Sequence, residues 1–119
     1  MVDTTFRADR ETLSAAFSLV FRQGRAPPSC PSPCESELLN FIRDRVPAAS
    51  PAACRDALIR VRKLSKDVYT VCDQFREGLF GSGDTAQVAA MKALMEKNPG
   101  FSEEEYRVAF SVGMMWTAF

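Results

Sequence analysis

From Ala52 to Glu77 the chain contains neither glycine nor proline, and this uninterrupted stretch constrains the fold more than any other feature. Ser50-Pro51 opens it with a good N-cap residue followed by proline at the first helical position. The pattern predicts a helix from Pro51 to about Glu77 or slightly beyond, ~40 Å long at ~1.5 Å per residue. Such a helix spans a whole small domain. At ~100° per residue, Cys54, Ala57, Val61, Leu64, Val68, Cys72, Phe75 and Leu79 fall on one face, the side expected to be buried. Arg55, Arg62, Lys66, Asp73 and Glu77 fall on the other.

That geometry decides how the four cysteines read. Cys54 and Cys72 are eighteen residues apart, hence ~27 Å apart along one helix. Zinc ligands must converge within ~2.3 Å of a single ion, and disulfide partners must be similarly close. The pair therefore reads as small core residues, and a four-cysteine metal site is not expected. Cys30 and Cys34 differ, because they sit in the Cys-Pro-Ser-Pro-Cys of a loop. Oxidation can close them into a small disulfide ring, or one can serve as a redox-sensitive thiol. Their spacing has one residue too many for a thioredoxin-type motif, and the simpler reading is of incidental loop cysteines.

The rest of the chain is also helical in pattern. A first helix is predicted over about 8–23, with Leu13, Ala16, Phe17, Val20 and Phe21 as its inner stripe and Gly24 at its end. Residues 24–34 hold four prolines and read as an extended loop. A short second helix over about 35–45 carries Leu38, Leu39, Phe41 and Ile42, and Pro47 stops it. After the glycines at 78, 81 and 83, Asp84 is the expected N-cap of a fourth helix with Val88, Met91, Leu94 and Met95 inward. Asn98-Pro99-Gly100 ends it. Ser102 and Glu105 form a capping box for a fifth helix, with Phe101 and Tyr106 as a hydrophobic staple. Three glutamates in its first turn complement the helix dipole. The expected fold is an all-α bundle of about five helices in a single domain spanning 1–119.

Several function classes recede on these residues. Histidine is absent, which removes His-dependent triads, His-containing zinc sites and the usual proton carrier near neutral pH. No catalytic residue, metal or cofactor is assigned. Fifteen basic residues balance fifteen acidic ones, so nothing global attracts nucleic acid. A basic face can still be drawn through Arg55, Arg62 and Lys66, flanked by Arg60 and Lys63. Asp56, Asp67, Asp73 and Glu77 interrupt it, and no aromatic residue is interleaved with the cations for base stacking. A helix-turn-helix around Asn98-Pro99-Gly100 would present Glu103, Glu104 and Glu105 to phosphates, the wrong charge. The glycines at 78, 81 and 83 lack the Gly-Lys-Ser/Thr ending of a phosphate loop. The first residues lack a basic, apolar signal sequence and no apolar run can span a bilayer, so the expected setting is cytoplasmic, with no membrane.

The carboxyl-terminal helix is apolar nearly all round, with only Arg107, Ser111 and Thr117 polar beyond Tyr106. Such a helix is buried on several sides, or has one face covered by a second chain. Met114, Met115, Trp116 and Phe119 are the anchors expected there, being types enriched at interface cores. The function expected is a non-catalytic protein-interaction module, of the adaptor, inhibitor, antitoxin or immunity kind, binding a protein partner or itself as a homodimer. Two alternatives stand beside it. One is a bundle holding a small apolar ligand among its nine phenylalanines and five methionines. The other is a nucleic-acid binder using the basic residues of the third helix.

Overall fold

In the computed structural model, which describes residues 3–24 and 35–118, five α-helices and one π-helical segment account for most of the chain. They are α1 (Asp3–Phe17), α2 (Glu35–Arg45), α3 (Pro51–Arg76), α4 (Gly83–Lys97) and α5 (Glu103–Trp116). No strand occurs among the described residues. The all-α bundle organised on a long third helix is the observed architecture, and α3 packs against all four other helices. Most of the proline-rich segment, Cys30 and Cys34 included, lies outside the described residues, as does Phe119.

The first helix differs from expectation. It starts earlier, at Asp3, and its regular α geometry stops at Phe17, where a π-helical segment runs from Ser18 to Gly24. The wider turn still brings both aromatics inward: Phe17 and Phe21 stack with ring centroids 4.7 Å apart, and Phe21 lies 5.7 Å from Trp116. A 3.6-residue period in the sequence cannot announce such a change of pitch.

The third helix starts where its capping residues predict. Ser50 Oγ accepts a hydrogen bond from the Ala53 amide at 3.1 Å, and Pro51 occupies the first turn. Its buried side holds Cys54, Ala57, Leu58, Val61, Leu64, Ser65, Val68, Val71 and Cys72. Leu79 does not extend this stripe and is 66% exposed. The reason is the helix end: the Gly78 amide bonds to Phe75 O and the Leu79 amide to Gln74 O, with Gly78 at φ 82°. This paired closure needs a left-handed residue after the cap and turns the chain off the helix axis.

The fourth helix corrects two expectations. Ser82, not Asp84, is its N-cap, and Asp84 lies in the first turn beside the positive end of the dipole. Its buried stripe is Ala86, Ala90 and Leu94, whereas Val88 and Met95 are 66% and 41% exposed. Alanines spaced four apart make a shallow ridge that lets α4 lie close to α3 and α5. The larger apolar residues then have no room on that side. The chain closes with α5, whose capping box forms as predicted: Glu105 N donates to Ser102 Oγ at 3.1 Å, and Ser102 N donates to Glu105 Oε1 at 2.8 Å.

Candidate functional site

A polar clamp fixes α4 and the start of α5 onto α3. Lys63 Nζ donates to Asp67 Oδ2 at 2.9 Å, to Lys97 O at 2.8 Å and to Asn98 Oδ1 at 3.3 Å. Asn98 Nδ2 donates to the same Asp67 oxygen at 2.9 Å. Arg60 Nη2 donates to Pro99 O at 3.0 Å, and Tyr106 donates its hydroxyl proton to Asn98 O at 2.5 Å. Gly100, at φ 106°, lies so close to Arg60 that a Cβ there would collide with the guanidinium. Burial alone would raise the Asp67 pKa, but the hydrogen bonds from Lys63 and Asn98 and the charges of Lys63 and Lys97 outweigh it and hold the carboxyl below its ordinary value. Arg60 and Lys63, which flank the basic face in the sequence, are thus occupied in holding the turn.

What the clamp leaves is a stripe on α3 that is exposed except at the half-buried Arg62. Arg55, Ile59, Arg62, Lys66, Tyr69 and Asp73 are spaced alternately four and three residues apart, so they share one side of the helix. Ile59 is 62% exposed and Tyr69 39%. Among the described residues, no ion pair joins Arg55, Arg62 or Lys66 to a carboxylate. No aromatic lies between these cations, as expected, but Tyr69 follows Lys66 by one turn on the same side of the helix. Val88 and Met95, two helical turns apart on α4, add a second exposed apolar strip with Met91 half-buried beside it. The large apolar side chains exposed among the described residues are these on α3 and α4, Leu79 in the turn between, and Met115.

The carboxyl-terminal anchors separate. Of the three that are described, Trp116 is only 7% exposed and packs on Phe21 within the chain's own core, Met114 is half-buried, and Met115 reaches the surface at 46% exposure. The end of α5 is tied down by Arg76, which donates to Met114 O at 2.6 Å and to Thr117 Oγ1 at 2.8 Å. A cation at that position also complements the negative end of the helix dipole.

Cys54 and Cys72 are both free and fully buried. Burial pushes the Cys72 thiol up to about 12, against a small opposing pull from Arg76, and its Sγ faces Phe110 O at 3.5 Å. So protonated a thiol is a packing element rather than a nucleophile. Glu105, buried between α1 and α5, spends one oxygen on its capping box and the other on the Ser14 hydroxyl at 3.0 Å. Among the described residues, no cluster of three His, Cys, Asp or Glu side chains gathers in a way that can hold a metal ion, and no helix is long and apolar enough to cross a membrane.

Compared with known proteins, the chain matches no family model, no curated protein and no solved structure. Its function must be argued from its surface. The residues that reading the sequence missed are Ile59 and Tyr69; the four–three spacing from Arg55 to Asp73 was the available signal.

Proposed function

We propose that this protein is a non-catalytic interaction module that self-associates through the exposed apolar residues of α3 and α4. The observation that carries the reading is that most of the large apolar side chains exposed among the described residues belong to these two helices: Ile59 and Tyr69 on α3, Val88 and Met95 on α4. Exposed apolar side chains aligned along one helix, as Val88 and Met95 are at two turns' spacing, mark association sites more often than scattered ones do. The rigid clamp beneath supports it, since Asn98, Tyr106 and Lys63 hold both helices in fixed relation and so limit the ordering cost of association. Compared with the expectation from the sequence, the partner face moves from α5 to α3 and α4, because Trp116 is enclosed by the chain itself. Two buried free thiols suit a reducing compartment, and the proposal includes a cytoplasmic setting.

Light scattering over a wide concentration range, with reducing agent, tests this. The wild-type mass should rise toward that of a dimer, and Val88→Asp with Met95→Asp should keep the chain monomeric at unchanged helicity. A wild-type chain that stays monomeric at every concentration would sink the proposal.

A further inference from the structure

The exposed stripe of α3 carries its own complement. Toward the amino end it is basic, with Arg55, Arg62 and Lys66; toward the carboxyl end it is acidic, with Asp73 followed by Glu77. Resting on the self-association proposed above, we infer that the occupant of this face is α3 of a second copy, lying antiparallel across a two-fold axis.

Three physical arguments converge on that arrangement. A two-fold interface must be self-complementary, each patch meeting itself reversed. A basic half followed by an acidic half meets this condition only when the helices run in opposite directions; parallel pairing would set like charges together. The helix dipoles favour the same direction. The four–three spacing also supplies a register. With the axis midway between Lys66 and Tyr69, Arg62 meets Asp73 of the second copy, and Lys66 lies over the ring of the second copy's Tyr69. Both contacts occur twice by symmetry. A cation over an exposed aromatic ring is favourable, and it gives Tyr69 a role that an isolated fold does not. Ile59, on the same stripe beyond the charged centre, supplies apolar area that ion pairs alone would lack.

Sedimentation of the full chain, in reducing buffer at low and moderate salt, tests the register by charge exchange. Arg62→Asp and Asp73→Arg should each weaken dimerisation by about tenfold, since each replaces two attractions with two repulsions. The double variant should recover wild-type affinity to within about threefold, because the exchanged pair is again complementary. Circular dichroism should be the same for all four chains. Single variants that dimerise like wild type, or a double variant as weak as its parents, would overturn the antiparallel α3 pairing. If in addition Val88→Asp with Met95→Asp abolishes the dimer, self-association through α3 and α4 stands and only the register falls. A wild-type chain that is monomeric throughout removes both.

Discussion

Helices α4 and α5 are almost equal in length, 15 and 14 residues, and adjacent in the chain, yet they use their apolar residues in opposite ways. α5 buries Tyr106, Phe110, Val112 and Trp116; α4 buries two alanines and one leucine and turns Val88 and Met95 to solvent. The difference is one of neighbours. α5 lies against α3 and α4 and also meets the π-helical segment, while α4 packs on α3 and α5 and forms an edge of the bundle. Apolar content does not decide burial here. A helix covered from several directions hides most of its large side chains, and a helix at an edge buries mainly small ones.

The comparison breaks most sharply at Trp116. Trp116→Ala should cost about 3–5 kcal/mol, measured by denaturant unfolding, because it empties the space against Phe21. Met95→Ala on α4 should stay within about 0.5 kcal/mol for the monomer. Next in size is the α3–α5 contact. A Cβ on Gly113 would collide with the Val68 side chain and come within 2.7 Å of Cys72 Sγ, so Gly113→Ala should destabilise by about 1–3 kcal/mol. Calorimetry should show the melting temperature falling by several degrees.

Smaller effects sharpen the contrast at the helix starts. Ser102 accepts a cap bond and Ser82 makes none. Ser102→Ala should therefore cost about 1 kcal/mol and Ser82→Ala much less, both read from denaturant midpoints. The smallest effect is the pH dependence of the clamp. Asp67 holds its proton less tightly folded than unfolded, so its stabilisation is complete above its ordinary pKa of 3.8. It is lost as pH falls below that and through the lower folded value. Unfolding midpoints measured from about pH 6 to about pH 3 should fall less steeply for Asp67→Asn than for wild type.

The features legible in the sequence were those whose cause is local. Ser50-Pro51 and the Ser102–Glu105 box act within one turn, and both form as their residues predict. The burial of Cys54 and Cys72 followed from the geometry of one unbroken helix. The inner face of α4 was misassigned because hydrophobic periodicity favours the largest residues, whereas close helix approach selected Ala86 and Ala90. The π-helical segment left no mark, since its benefit lies in where Phe21 meets Trp116, ninety-five positions away in the chain. The candidate surface was half legible: Arg55, Arg62 and Lys66 were visible as a line, but not that Arg60 and Lys63 would be spent on the turn.

By itself, then, the sequence determined the helical class, the length of α3, most helix boundaries and the burial of two cysteines. All of these follow from interactions a few residues long or from the periodicity of a single helix. Tertiary structure decided that Val88, Met95 and Leu79 are surface while Ala86, Ala90 and Trp116 are core. That choice depends on how many sides of each helix are covered, and coverage is set by residues far away in the chain.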